Sequence, residues 1–226
     1  LMAEPELVAE GVAAMREAAD VPVTVKHRIG SDHQDDYAHL AGFVERVSAA
    51  GCRTFIVHAR KAWLQGLSPR ENRSRPPLRH EVVHRLKRDF PHLEIVTNGG
   101  IRSAAAAAEQ LRHVDGVMIG RAAYESPWLL AETERTLLGE DRGPADRRAV
   151  VEAYMAYMAR ELERGVRLQA MARHLVGLYQ AVPGAKAWRR HISENAPRPG
   201  AGVEVVAEAL ERVAPARDGS TRSLPA

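Results

Sequence analysis

Glu94-Ile95-Val96-Thr97-Asn98-Gly99-Gly100-Ile101-Arg102-Ser103 is the stretch on which the fold turns. Ile95, Val96 and Thr97 are β-branched and predict a strand. Asn98 and two glycines break it. Ser103 then stands where a hydroxyl can cap the alanine-rich helix beginning at Ala104. Strand, glycine turn and capped helix make one βα unit, and the same order recurs on both sides. Upstream, Thr54-Phe55-Ile56-Val57 ends in His58-Ala59-Arg60, followed by a long loop and a helix carrying Val82, Val83, Leu86 and Phe90. Earlier still, Val21-Pro22-Val23-Thr24-Val25 ends in Lys26-His27-Arg28. A helix follows with Tyr37, Leu40, Val44 and Val47 on one stripe, closed by Gly51. Downstream, Val117-Met118-Ile119 ends in Gly120-Arg121. Before all of these, Pro5 opens a helix bearing Leu7, Val8, Val12 and Met15.

Strands alternating with helices imply parallel βα units in an α/β fold. The separations from Lys26 to His58, His58 to Asn98 and Asn98 to Arg121 are 32, 40 and 23 residues, one unit each. A closed (β/α)₈ TIM barrel needs eight such units and about 250 residues. Four strands over residues 1–138 therefore predict half a barrel. Residues 139–144 are a Gly/Pro/charged linker. Residues 145–213 show helical periodicity only: Val151, Tyr154, Met158 and Leu162, then Leu168, Met171, Leu175 and Tyr179, then Ala185 to Asn195, then Val203 to Val213. They predict a small helical domain. Residues 214–226 are nearly free of apolar side chains and predict a disordered tail.

Composition narrows the function classes. One cysteine in 226 residues excludes an internal disulfide framework and a cysteine-cluster metal site. No apolar run approaches the roughly 20 residues that cross a bilayer, and the start has no basic signal-peptide segment, so a cytoplasmic location is expected. The net charge of +3 conceals strong clustering. Residues 60–88 hold nine Lys/Arg against two acids, and residues 160–198 hold eight against three, leaving an acidic remainder. Two basic stretches on an acidic chain fit a polyanion footprint and equally fit an arginine-rich solvated surface.

Taken in order, Val25-Lys26-His27-Arg28, Ile56-Val57-His58-Ala59-Arg60, Asn98-Gly99-Gly100-Ile101 and Met118-Ile119-Gly120-Arg121 resemble the last four strand ends of the tRNA-dihydrouridine synthase barrel. The loop Lys61-Ala62-Trp63-Leu64-Gln65-Gly66-Leu67-Ser68-Pro69-Arg70-Glu71-Asn72-Arg73 and the segment Gly184-Ala185-Lys186-Ala187-Trp188-Arg189-Arg190 are similar to the A-type subgroup. That subgroup acts on two adjacent D-loop uridines, 20 and 20a. The resemblance implies the C-terminal half of the barrel followed by a tRNA-binding helical domain. It implies FMN as cofactor, NADPH as reductant, tRNA as substrate and reduction of uridine to 5,6-dihydrouridine. No metal, membrane or obligate protein partner is implied.

The resemblance also assigns residues. Lys26, His58, Asn98, Gly99, Gly100, Gly120 and Arg121 match FMN-contacting positions, and Arg70, Arg73, Lys186 and Arg189 match tRNA-contacting positions. Elementary chemistry agrees with these roles. A lysine at a strand end can stabilise negative charge on a flavin ring. Glycines ahead of a helix let a phosphate reach the backbone N–H groups, and an arginine can grip phosphate through two donors. Each residue also has a plainer reading: a surface lysine, a histidine bonded at a strand end, tight turns after strands. The family's proton-donating cysteine is expected upstream of Leu1, which leaves no catalytic residue in this chain and the chain by itself inactive. Two further functions stay open: a non-catalytic RNA-binding module, and an FMN barrel acting on a small molecule.

Two other features point elsewhere. His80-Glu81-Val82-Val83-His84 matches the helical zinc pattern H-E-x-x-H, but Arg79, Arg85, Lys87 and Arg88 would repel a cation, and a solvated amphipathic helix explains it better. Cys52 follows Gly51 and precedes a strand. That places it at the end of the barrel opposite the site, as a small buried hydrophobe.

Overall fold

The computed structural model describes residues 2–32, 34, 36–139 and 143–213. The expected tail 214–226 and the middle of the expected linker, 140–142, lie outside the described residues. The described residues form two compact units. The first comprises residues 2–122 with 136–138, and the second comprises 123–135 with 139 and 143–213.

The first unit is an α/β arrangement of α1 (Pro5–Ala18), β1 (Thr24–Arg28), α2 (Tyr37–Ala49), β2 (Thr54–His58), α3 (His80–Asp89), β3 (Glu94–Asn98), α4 (Ala104–Leu111) and β4 (Gly116–Met118). The strands are parallel and ordered β1-β2-β3-β4. Local chemistry fixes the helix starts. Pro5 occupies the first turn of α1, Asp36 caps α2 through His39 N–H at 2.9 Å, and Ser103 caps α4 through Ala106 N–H at 3.1 Å. Gly51 ends α2 in the left-handed region at φ 98°.

Strand β1 ends in Lys26-His27-Arg28 as expected, but begins at Thr24, three residues past the expected start at Val21. Pro22 has no N–H to donate, and the paired ladder begins two residues past it. Register matters because successive side chains alternate. Lys26 pairs with Ile56 and Arg28 with His58, which pairs with Asn98, and Asn98 with Met118. These residues share one face of the sheet. The other face carries His27, Phe55, Val57 and Ile95, buried against Val12 of α1, Phe43, Val44 and Val47 of α2 and Val83 and Leu86 of α3. The apolar helices cover one face, and the polar strand ends project from the other.

Among its described residues the second unit is all helical: α6 (Trp128–Leu138, as far as Arg135), α7 (Arg147–Glu163), α8 (Leu168–Ala172), α9 (Ala185–Asn195) and α10 (Glu204–Leu210), preceded by the end of the short α5 (Arg121–Glu125). Its core gathers Trp128, Val151, Met158, Leu168, Met171, Trp188, Ile192 and Val206. The helix predicted across Leu168 to Tyr179 stops at Ala172. Beyond it the chain winds in i→i+3 turns, Leu175 N–H to Ala172 O at 3.0 Å and Leu178 N–H to Leu175 O at 3.0 Å. A side chain at Gly177 would collide with the Glu125 carbonyl, so these turns pack backbone on backbone. The apolar spacing serves tight turns as well as it serves a helix. Among the described residues no helix is long and apolar enough to cross a membrane.

Candidate functional site

Parallel sheets collect functional groups at the C-terminal ends of their strands, and this sheet does so with cations. A cleft of about 470 Å³ lies there, lined by Lys26 and Arg28 from β1, His58 from β2, Asn98-Gly99-Gly100 after β3, Gly120-Arg121 after β4, and Arg73 and Arg102 from loops. All seven positions matched to FMN contact line this one cleft. Arg73, matched to tRNA contact, lines it too. Arg70 lies in the same loop as Arg73 and is exposed, but does not line the cleft. Lys186 and Arg189 belong to the second unit, one turn apart and exposed on α9.

Charge in the cleft is one-sided. Among the described residues, no carboxylate forms an ion pair with the lining cations Lys26, Arg28, Arg73, Arg102 or Arg121. Partial burial, and then the Arg28 guanidinium, lowers the Lys26 pKa from its ordinary value. Burial, then Arg73 and Arg60, does the same to Arg28. The His58 imidazole is pulled down to about 4, first by burial and then by Arg28, Lys26 and Arg60. It is therefore neutral near pH 7, and its Nδ1 is buried without a hydrogen-bond partner. Cations gathered without counter-charges cost stability, and an anionic ligand would neutralise them.

The glycines differ in why they are glycine. Gly99 and Gly100 sit at φ 112° and 72°. A Cβ on Gly99 would lie 3.2 Å from His58 Nε2, and one on Gly100 would strike the Leu78 side chain. Backbone alone demands glycine at both positions. Gly120 has no such demand: its φ is unremarkable, and an added Cβ meets no atom within 4 Å. We expect Gly120→Ala to leave thermal stability unchanged within about 0.5 kcal/mol, while lowering affinity for any ligand whose phosphate approaches that backbone. Calorimetry beside a flavin titration checks it; equal FMN affinity in both proteins would free Gly120 from the site.

Asn98 is 9% exposed and donates from Nδ2 to Met118 O at 2.8 Å, tying β3 to β4 where the cleft opens. Sequence reasoning gave no role to Arg28, Arg60 or Arg102. The signal was available for two of them, since Arg28 and Arg60 stand two residues beyond Lys26 and His58, but each could equally have been a solvated loop residue.

The remaining features resolve simply. Cys52 is fully buried and free at the N-terminal end of β2, its Sγ 3.3 Å from Thr54 O, and burial raises its pKa. Trp188 is fully buried, with Nε1 donating to Leu175 O at 3.0 Å. Trp63 is half-buried. Helix α3 is amphipathic, with Glu81, Arg85, Arg88 and Asp89 exposed and Val83 and Leu86 buried, and His80 and His84 lie at its margin. Both are half-buried, His80 Nδ1 lying 3.2 Å from Thr97 Oγ1 and His84 Nε2 2.9 Å from Gln110 Oε1. Among the described residues no group of three or more His, Cys, Asp or Glu could hold a metal ion.

Comparison with known proteins supplies the family. A model described as dihydrouridine synthase (Dus) matches residues 1–214. The protein named tRNA-dihydrouridine(20/20a) synthase of Shewanella oneidensis is 54% identical over 213 residues, covering 94% of this chain and 64% of that protein. The one of the same name from Vibrio cholerae is 54% identical over 214 residues, covering 94% and 65%. That of Salmonella typhimurium is 53% identical over 218 residues, covering 96% and 66%. The chain thus spans just under two thirds of the length of the curated relatives it matches. With the ordered strand-end motifs and a family match running through nearly every residue, the chain belongs to the dihydrouridine synthase family.

Proposed function

We propose that this chain forms the FMN-binding half of a barrel, together with a helical tRNA-binding segment, in an enzyme that reduces uridine to 5,6-dihydrouridine at positions 20 and 20a of tRNA. The observation that carries the reading is the cleft: at least five cations without carboxylate partners converge with glycine turns at the ends of four successive strands. Those residues fit a phosphate-bearing flavin. Gly120 leaves open space for a phosphate against the backbone, and Arg121 stands at the start of α5 to oppose its charge. Lys26 would hold negative charge on the isoalloxazine, and His58 is neutral with an unfilled Nδ1. When bound, FMN reduced by NADPH would supply hydride to the uracil ring. An unstacked loop base is the form of uridine that can enter such a cleft. A cytoplasmic location accords with such a substrate.

Arg70 and Arg73 on the first unit, and Lys186 and Arg189 on the second, are proposed to hold tRNA phosphates. The test is a chimera in which the matched stretch of the Shewanella oneidensis relative is replaced by that of this chain. With FMN, NADPH and unmodified tRNA it should form dihydrouridine; a folded chimera that forms none overturns the reading. In the same protein, Lys186→Glu with Arg189→Glu should weaken tRNA binding and flatten its salt dependence by about 0.7 logarithmic units per lost contact. FMN binding should hold. Unchanged tRNA affinity and slope would make α9 an ordinary solvated helix.

A further inference from the structure

Loop 61–73 carries Arg70 and Arg73, has only the short 3₁₀ turn Glu71–Arg73 as regular structure, and is nonetheless held in place at both ends. The holder is Arg28. Its Nη1 donates to Lys61 O at 2.9 Å and to Asn72 O at 3.0 Å, carbonyls at opposite ends of the loop. Asn72 closes the ring from the other side, its Oδ1 accepting from Trp63 N–H at 2.9 Å and its Nδ2 donating to Trp63 O. The segment after β1 completes the attachment: Ala62 N–H donates to Gly30 O at 2.8 Å, and Leu64 N–H to Asp32 Oδ1 at 2.8 Å. Asp32 accepts the left-handed region at φ 39° in doing so, an unfavourable conformation for a side-chain-bearing residue. Beyond the ring, Arg121 Nη2 donates to Arg73 O at 2.9 Å.

Resting on the function proposed above, we propose that Arg28 and Asn72 are positioning residues, a two-sided clasp that sets where the loop presents Arg70 and Arg73 to tRNA. Neither need touch the RNA. Arg28 joins the loop ends through the backbone carbonyls of Lys61 and Asn72, and the Asn72 side chain joins them a second time through Trp63, so each closure holds part of the span without the other. Arg28 also lines the cleft while Asn72 does not, and this separates positioning from direct ligand contact. If Arg28 acted only by facing the ligand, Asn72 would not matter to tRNA.

The experiment uses the 226-residue chain and its Arg28→Ala, Asn72→Ala, Asn72→Asp and doubly alanine-substituted variants. Amide hydrogen exchange of residues 61–73 is measured beside binding of an unmodified tRNA and of FMN. Asn72→Ala should lose protection at Trp63, Arg28→Ala should lower protection across residues 61–73, and each should weaken tRNA binding about tenfold. The double variant should lose more than either single one, because Asn72→Ala leaves both carbonyls that Arg28 binds and Arg28→Ala leaves both Asn72–Trp63 bonds. Asn72→Asp keeps the acceptor for Trp63 N–H and should fall between. Asn72→Ala should bind FMN as the parent does. Full loop protection in Arg28→Ala, or tRNA affinity unchanged in Asn72→Ala despite lost protection at Trp63, would overturn the clasp. Unsubstituted chain that binds no tRNA would overturn the proposed function and with it the role given to the clasp, even if the exchange pattern followed.

Discussion

Arg121→Glu in the chimeric enzyme should lower affinity for FMN by roughly a hundredfold while leaving riboflavin affinity within about twofold. The two ligands share the ring system and differ by the phosphate, so the comparison isolates the group that Arg121 is held to oppose. Arg121 opens α5, directly after Gly120, on the rim of the cleft. A carboxylate there removes the nearest cation and adds repulsion toward a dianion, with Arg73 and Arg102 remaining in the lining to keep the loss finite. Lys26→Ala should weaken both ligands alike, because it stands at the strand end and not at the turns. Loss of riboflavin and FMN in equal measure on Arg121→Glu would mean that the phosphate sits elsewhere.

Acid should destabilise the first unit steeply, and much of the effect should belong to His27. This ring is 7% exposed, packed 5.0 Å from Phe43 and 5.9 Å from Phe55, and its pKa is held down to about 4, chiefly by burial. Its ordinary value is 6.5. Between those two values the unfolded chain takes up a proton that the folded chain refuses. The neutral ring's contribution is therefore intact above 6.5 and lost as pH falls toward 4. From pH 7 to 4.5 the loss should be about 2 kcal/mol for His27. His58 adds in the same direction, discounted for its partial exposure. Urea midpoints at the two pH values test this: His27→Leu should remove about that much of the pH dependence while costing some stability at pH 7, where the 2.7 Å contact of Nδ1 with Arg28 O is lost. An unaltered pH dependence in His27→Leu would place the acid sensitivity in other groups.

How far the sequence reveals the molecule depends on range. Strands β2 and β3, the Ser103 cap and the Gly51 terminus were legible because each is decided within a few residues. The seven positions matched to FMN contact come together in one cleft because they lie in or just after the C-terminal halves of parallel strands. The start of β1 differs from the sequence pattern because apolar character extends back to Val21 while pairing with β2 begins only at Thr24. The turns after Ala172 were read as helix because Leu175 and Tyr179 keep helical spacing, and nothing local announces that Gly177 must meet Glu125. The Arg28 clasp was invisible for a different reason. Its acceptors are backbone carbonyls 33 and 44 residues away, and carbonyls carry no sequence signature.

The strand order has a kinetic consequence. Every strand pairs only with its neighbour in sequence, so the sheet can grow in the order in which a ribosome delivers it, with each closure spanning one βα unit. The cleft, by contrast, draws on all four strand ends and exists only once β4 has docked. A phosphate ligand can then recognise nothing in the early, partly zipped sheet. Its binding energy should appear as slower unfolding, with the rate of folding left to the strands themselves.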